Sequence, residues 1–192
     1  MRNDNEVIAQ RLAQWMDSLS QFDLPDWDSL PQLDLYMDQV ILLLRRYLTP
    51  LDPGGDERSI TASIINNYVR MKVIPPPLKK KYSRVHLAYL VIICTLKQSL
   101  SISCIQRLLP EEHSEEAARQ LYTEFVSQYR RSTGFLRELP LSNGLPVVGD
   151  GKLLTGGGGS LVTTSAILST LAKALTEHLL GGDEPPYDDD ED

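Results

Sequence analysis

Residues 60–109 read ITASIINNYVRMKVIPPPLKKKYSRVHLAYLVIICTLKQSLSISCIQRLL. Apolar side chains recur at helical spacing before the triple proline, which predicts a helix that begins at Ser59 or Thr61 and ends near Lys72. Prolines 75–77 must end this helix, because proline has no N–H to donate and keeps the preceding residue out of the helical region. The lysines and tyrosine at 79–82 then form a short basic loop or wing.

A second helix is predicted after that wing, capped by Ser83 and ending near Leu96. Its apolar residues are numerous enough for a buried element, and a short helix that begins at Ser101 or Ser103 follows it. The order of helix, proline turn, basic wing and long helix predicts a helix-turn-helix-like core. We therefore expect an all-α fold with at most a small β wing.

The flanking sequence predicts further helices. Amphipathic patterns cover residues 5–20, residues 33–48 and a helix from Ser114 to about Arg131.

We divide the chain into an N-terminal helix and turn (1–32), a helical domain (33–131), a Gly/Pro-rich loop with one short hairpin at LPVVGDGKLLT (132–159), a C-terminal helix (160–180) and a disordered acidic tail (181–192).

Charge is strongly segregated along the chain. The formal net charge is -7, yet residues 58–110, which we call the acid-free stretch, contain no Asp or Glu and nine Lys or Arg. Seven of the acidic residues lie in the last ten positions, DEPPYDDDED, and the remaining residues are neutral overall. A basic segment within an acidic protein is where a polyanion would bind. The acidic tail either keeps the protein soluble or competes with DNA for the basic face.

Several classes of function are disfavoured by composition. The two cysteines, Cys94 and Cys104, form no CxxC pair and only three histidines are present, so we expect buried reduced thiols rather than a zinc site. The glycine run at 155–160 lacks the Gly-Lys-Ser/Thr of a phosphate loop, and no catalytic triad stands out. We expect no enzyme activity, no cofactor and no metal. The N-terminus has no apolar signal core and the apolar runs are shorter than the ~20 residues of a membrane helix, which favours a cytoplasmic protein with no membrane partner.

Candidate base contacts lie on one face of the helix that precedes the prolines: Ser63, Asn66, Asn67 and Arg70. An asparagine amide can form two hydrogen bonds with adenine in the major groove. The alternative is that these residues are an ordinary solvated face. Tyr82 is expected to anchor the core rather than to stack on a base.

Candidate phosphate contacts follow in the basic wing and next to it. They are Lys72, Lys79, Lys80, Lys81 and Arg84, where the position of the charge matters more than the identity of the side chain. The alternative is a solvated basic loop. His86 is expected to be a surface histidine or a further phosphate contact.

The segment INNYVRMKVIPPPLKKKYSRVHLAYL resembles the core of an uncharacterised bacterial family, a domain of unknown function that is common in Gram-positive bacteria. The resemblance covers roughly residues 33–130 and rests on the spacing between Asn-Asn-Tyr, the triple proline and KKYSR. It implies a family without implying a chemistry.

The same segment is similar in order to the winged helix-turn-helix of MerR-type regulators. The matching parts are Tyr68, Val73-Ile74-Pro75-Pro76, Lys81-Tyr82-Ser83, the apolar helix after it and Ser101-Ile102. Three features differ from that pattern. The loop at 49–58 is longer than in a tight helix-turn-helix, the wing lacks the usual glycine, and Asn66 or Asn67 replaces the arginine of the recognition helix.

This second resemblance implies a DNA-binding transcriptional regulator with double-stranded DNA as its partner. The alternative is a non-enzymatic protein-interaction adaptor that keeps the helical fold without binding DNA. The leucine-rich pattern at 160–180 either forms a homodimer or packs on its own domain.

Overall fold

A computed structural model of the protein describes residues 23–48 and 60–138, the short segments 148–149 and 152–153, and the positions 11, 13, 14, 17, 169, 172 and 173. Residues 23–48 and 60–138 contain five α-helices and a 3-10 turn at Trp27–Ser29. The helices are α1 (Met37–Leu48), α2 (Ala62–Arg70), α3 (Arg84–Leu96), α4 (Ile102–Leu108) and α5 (Glu115–Glu138). The predicted all-α fold is confirmed.

Three helices begin where a hydroxyl side chain can accept a hydrogen bond from the first turn. The Ile64 N–H donates to Thr61 Oγ1, the Cys104 N–H to Ser101 Oγ and the Ala117 N–H to Ser114 Oγ, each at 3.3 Å. These bonds satisfy N–H groups that have no partner within the helix. Thr61 is therefore the cap of α2, and Ser101 rather than Ser103 is the cap of α4.

Two predicted helix boundaries were wrong. Helix α1 begins at Met37 rather than at residue 33, because Leu35 exchanges backbone hydrogen bonds of 2.9 and 2.8 Å with Tyr82 and so holds an extended conformation. Helix α5 continues past Arg131 to Glu138. No proline interrupts that extension, and its residues remain compatible with a helix.

Helix α3 is the centre of the fold. Nine consecutive residues, from His86 to Cys94, are buried, and the helix packs against both α1 and α5. A helix that is apolar on every side must be surrounded by protein. Cys94 and Cys104 are both buried and unpaired, as predicted.

The segment before α1 packs into the same core. Leu24, Trp27 and Leu30 are buried, and Trp27 makes an edge-to-face contact with Tyr122 of α5 at 6.2 Å between ring centroids. The Arg130 side chain donates to Asp23 Oδ2 at 2.6 Å and to Asp26 Oδ1 at 2.9 Å. The aromatic contact and the two ion pairs of Arg130 thus hold residues 23–30 against α5.

The basic loop forms a two-residue hairpin. Leu78 and Lys81 exchange backbone hydrogen bonds of 3.1 and 2.9 Å, with Lys79 and Lys80 as the connecting residues. The adjacent Leu35–Tyr82 pair attaches this hairpin to the start of α1. We call residues 78–81 the wing.

Two further short segments pair beyond α5. Strands β1 (Val148–Gly149) and β2 (Lys152–Leu153) are antiparallel, as predicted for the GDG turn. The predicted helices at 5–20 and 160–180 and the acidic tail lie almost wholly outside the described residues. Among the residues that are described, no helix has the length and apolarity needed to cross a membrane.

Candidate nucleic-acid interface

All four predicted base-contact residues line one cleft of about 870 Å³. Ser63, Asn66, Asn67 and Arg70 come from α2, where their spacing puts them on one face. Lys97 and Ile102 bring the end of α3 and the start of α4 into the same cleft. The polar face of α2 is therefore one wall of a concave surface.

Hydrogen bonds already engage one of the two asparagines. Arg70 Nη2 donates to Asn67 Oδ1 at 2.6 Å, and Asn67 Nδ2 donates to Met71 Sδ at 3.3 Å. Asn67 would have to exchange these bonds to contact a base. Asn66 is more exposed than Asn67 and is the better placed of the two for an outside partner.

The cleft carries positive charge only. Arg70 and Lys97 are the charged residues among those that line it, and neither Asp nor Glu is present. Sequence reasoning did not assign Lys97 to the site, although it belongs to the acid-free stretch. Its position at the C-cap of α3 depends on where that helix ends relative to α2, which local patterns do not give.

Lys72 lies just beyond the end of α2 with a left-handed backbone (φ 58°). The Lys72 N–H donates to the Val69 carbonyl at 3.0 Å and the Val73 N–H to the Tyr68 carbonyl at 2.9 Å. These are the two hydrogen bonds of a Schellman motif, in which glycine usually occupies the left-handed position. A lysine there is strained by about 1–2 kcal/mol.

Lys79 and Lys80 also have left-handed backbones, with φ 51° and φ 64°. Positive φ at both central residues of a two-residue hairpin defines a type I′ turn, which normally contains Asn-Gly or a similar pair. All non-glycine residues with positive φ in the described part of the chain are lysines: Lys72, Lys79 and Lys80. Strained backbone of this kind concentrates at functional sites.

The next two cations of the predicted set contact aromatic rings. Lys81 Nζ lies 5.4 Å from the centroid of the exposed Tyr36 ring, and the Arg84 guanidinium lies 5.5 Å from the centroid of the buried Trp27 ring. Arg84 Nε and Nη2 are buried without a hydrogen-bond partner among the described residues. Those two nitrogen atoms cannot reach a phosphate unless the side chain moves, so Arg84 serves the packing of Trp27 first.

His86 is buried, and its prediction as a surface residue was wrong. Its Nδ1 accepts from the Ser83 N–H at 3.1 Å and lies 2.9 Å from Ser83 Oγ, while its ring packs edge-to-face on Tyr82 at 5.5 Å. Burial lowers the pKa of His86. The spacing of a helix-capping serine and a side chain three residues later is the signal that would have placed it in the first turn of α3.

The predicted residues thus fall into three places. Ser63, Asn66, Asn67 and Arg70 share the cleft, Lys79–Lys81 share the wing, and Arg84 lies over Trp27. Tyr82 is buried, as expected for a core anchor. No group of three or more His, Cys, Asp or Glu residues is placed to hold a metal ion in the described ranges.

Comparison with known proteins identifies the family. The family described as a domain of unknown function, DUF1836, matches residues 25–129, which is more than half of the chain. No curated protein and no solved structure matches significantly, and the comparisons give no MerR-like relative. The matched range begins beside Trp27 and ends within α5, so it includes the cleft and the wing. The chain belongs to the DUF1836 family.

Proposed function

We propose that this protein is a cytoplasmic, non-enzymatic regulator of transcription that binds double-stranded DNA through the cleft and the wing. The observation that supports this most strongly is the cleft, which gathers Ser63, Asn66 and Arg70 with Lys97 and contains no carboxylate. Amide, hydroxyl and guanidinium groups are among the side-chain groups that recognise base edges, and a surface without carboxylates does not repel phosphate.

Helix α2 is the reading element in this proposal. Asn66 is suited to the two hydrogen-bonding groups of adenine and Arg70 to those of guanine. The bond from Arg70 to Asn67 would orient the guanidinium before DNA arrives, and this limits the side-chain entropy that binding removes. Ser63 would contact the backbone or a base at the other end of the same face.

The lysines would supply most of the affinity. Lys72 and the wing residues Lys79 and Lys80 are exposed, and Lys81 is half-buried against Tyr36. Each phosphate contact releases condensed counterions, so affinity should fall steeply with added salt. The order of a short helix, a proline turn, a wing and a long helix supports a MerR-like arrangement as part of the proposal. A homodimer through residues 160–180 is a further expectation that concerns residues outside the described part of the chain.

The direct test is a genome-wide DNA pull-down with the full chain. Wild type is compared with Asn66→Ala and Arg70→Ala, and the matched controls are Gln128→Ala and Arg131→Ala, which change exposed residues of α5. Enrichment of a few discrete sites, lost in the cleft variants and kept in the controls, supports a sequence-specific regulator. No enrichment with wild type removes the DNA-binding proposal.

A protein-interaction adaptor is the second candidate function, and exposed apolar side chains favour it. Leu33 is 80% exposed and Leu42 is 69% exposed, so both side chains are accessible to a partner protein. If the adaptor function holds, Leu42→Ser abolishes cross-linking to the partner protein while Asn66→Ala leaves that cross-linking unchanged. If instead Asn66→Ala loses DNA binding and Leu42→Ser keeps it, the result supports the regulator.

A further inference from the structure

Cations on two sides of the fold differ in whether a carboxylate balances their charge. On α5, Arg119 forms an ion pair of 3.5 Å with Asp28, and Arg130 forms ion pairs of 2.6 Å with Asp23 and 2.9 Å with Asp26. These pairs lie outside the acid-free stretch, which contributes cations and no carboxylate of its own. A surface built from that stretch is therefore neutralised only by carboxylates from another part of the chain or from a partner.

The cleft is such a surface, and it combines positive charge with apolar walls. Its charged residues are Arg70 and Lys97, and Ile64, Tyr68 and Ile102 line it as well. Its volume of about 870 Å³ is in the upper part of the range for sites that enclose a ligand, so it has room for a few residues of a peptide. An occupant that matches the cleft presents carboxylates next to apolar side chains.

The acidic tail has this combination in its sequence. Residues 183–192 read DEPPYDDDED, so acidic residues stand on both sides of Pro185, Pro186 and Tyr187. None of these ten residues is Lys or Arg. Consecutive prolines favour an extended conformation, which limits the entropy that binding removes. The tail is thus complementary to the cleft in charge and in apolar content.

The chain between α5 and the tail is long enough to bring tail and cleft together. Helix α5 ends at Glu138, and residues 139–182 precede the first acidic residue of DEPPYDDDED. If residues 160–180 form the predicted helix, the rest of this connection reaches about 75 Å at about 3.3 Å per residue. A small domain is only about 30 Å across. Because tail and cleft share one chain, they also meet at a high effective concentration.

We propose that the acidic tail occupies the cleft of its own chain. Its carboxylates bind Arg70 and Lys97, and Tyr187 packs against Ile64 and Ile102. The tail then competes with any other polyanion for this surface. The consequence for DNA rests on the proposed function, since DNA must displace the tail before α2 contacts a base.

Arg70 is suited to hold a carboxylate of the tail. One of its N–H groups donates to Asn67 Oδ1 at 2.6 Å, and a guanidinium has five N–H donors in a rigid fork. The bond to Asn67 therefore orients the guanidinium and leaves further donors for a carboxylate. Loss of this arginine should weaken the contact more than loss of a lysine elsewhere in the acid-free stretch.

The first test is carbodiimide cross-linking of the full chain, which joins a carboxylate to a lysine amine in contact with it. At about 150 mM salt, which screens exposed charges, mass mapping should find the tail joined to Lys97 within one chain. Arg70→Ala should lower the yield at Lys97 about 10-fold, and Arg131→Ala on α5 should leave it unchanged. If Arg70→Ala leaves the yield unchanged, or if the cross-links join two different chains, the assignment is wrong.

The second test measures the affinity of a labelled DEPPYDDDED peptide. The protein is the full chain with each Asp of residues 183–192 replaced by Asn and each Glu by Gln, the amide-tail variant, so that its own tail does not compete. In this background Arg70→Ala should weaken binding about 10-fold, while Lys79→Ala, which removes a cation of the wing, should have little effect. Equal losses in the two variants would mean diffuse attraction between charges and would overturn docking in the cleft.

A variant of the tail that keeps its charge separates docking from repulsion of DNA. Pro185→Ser combined with Pro186→Ser and Tyr187→Ser retains all seven acidic residues. If the tail is bound for about nine tenths of the time, this variant and the amide-tail variant should both bind DNA up to about 10-fold more tightly than wild type. A gain in the amide-tail variant alone would show that the tail acts through its charge without occupying the cleft.

The outcomes also separate this proposal from the proposed function. If no variant binds DNA at low salt but the tail cross-links to Lys97 in an Arg70-dependent way, the DNA-binding function fails and the tail contact stands. If wild type binds DNA but the tail does not cross-link to Lys97, the tail contact is overturned and the regulator stands.

Discussion

The Tyr122 hydroxyl of α5 donates a hydrogen bond of 2.9 Å to the backbone carbonyl of Pro25, across 97 residues of sequence. The same tyrosine contacts Trp27, and Trp27 lies beneath Arg84 at the start of α3. One set of contacts therefore joins the segment before α1, the central helix and the long helix. The family match also begins at residue 25, before α1.

Removal of the Tyr122 hydroxyl should destabilise the protein. Tyr122→Phe keeps the ring but leaves the Pro25 carbonyl without its partner, and we expect the free energy of unfolding to fall by about 1 kcal/mol in urea denaturation. Tyr129→Phe is the matched control, because the Tyr129 hydroxyl is buried without a hydrogen-bond partner among the described residues. Equal losses in the two variants would contradict the role of the bond.

His86 should make stability depend on pH. Burial, the largest influence, lowers the pKa of His86 below its ordinary value of 6.5, while the Pro75 and Pro76 carbonyls and Asp34 act in the opposite direction. The unfolded chain therefore binds a proton more readily than the folded chain, so the stability that neutral His86 provides is lost as the pH falls below about 6.5. Urea denaturation from pH 7.5 to 5.5 should show this decline. His86→Asn keeps an acceptor for the Ser83 N–H and should make the free energy of unfolding less dependent on pH. If the dependence on pH is unchanged in this variant, His86 is not its source.

The Cys94 thiol should be unreactive in the folded protein. Burial raises the pKa of Cys94 to about 11, so at pH 8 roughly a thousandth of it is thiolate. In a Cys104→Ala background, a disulfide reagent should label Cys94 only at the rate at which the chain opens, and completely in urea. Labelling within seconds under native conditions would mean that the core around α3 is accessible.

Lys72→Gly should stabilise the protein, because glycine adopts the left-handed backbone at this position without strain. We expect a gain of about 1 kcal/mol in the free energy of unfolding. Lys72→Ala is the control, since it removes the same charge but keeps a Cβ atom in the strained conformation. If both variants raise the free energy of unfolding by the same amount, the loss of the charge and not the relief of backbone strain is the cause.

Much of the fold could be predicted from sequence because its signals are local. Thr61, Ser101 and Ser114 cap helices through atoms three residues away, and α2 ends at Arg70 in the Schellman motif of Lys72, a few residues before prolines 75–77. The wrong start of α1 has a non-local cause, since Leu35 pairs with Tyr82 across the fold. The burial of Trp27 likewise depends on Tyr122 and Arg84, which no local pattern connects to it.

The candidate site could be predicted only in part for the same reason. The four residues of α2 follow from helical spacing, and the cleft contains all of them. Lys97 joins them because the end of α3 lies across from α2, and Arg84 is turned toward Trp27 by the packing of residues 23–30. The strain at Lys79 and Lys80 depends on a hairpin whose sequence lacks the usual glycine.

The salt dependence of binding to duplex DNA tests the central claim most directly. Fluorescence anisotropy with the full chain gives the binding constant between 50 and 200 mM salt. Each phosphate contact contributes about -0.9 to the slope of the logarithm of the binding constant against the logarithm of the salt concentration. The proposal therefore predicts a slope of about -3 to -4 for contacts from Lys72, Lys79, Lys80 and Lys81. The four-fold alanine variant of these lysines should give a slope near zero. If wild type itself shows no binding at 50 mM salt, or binding that salt does not change, the protein does not act through phosphate contacts and the proposed function is wrong.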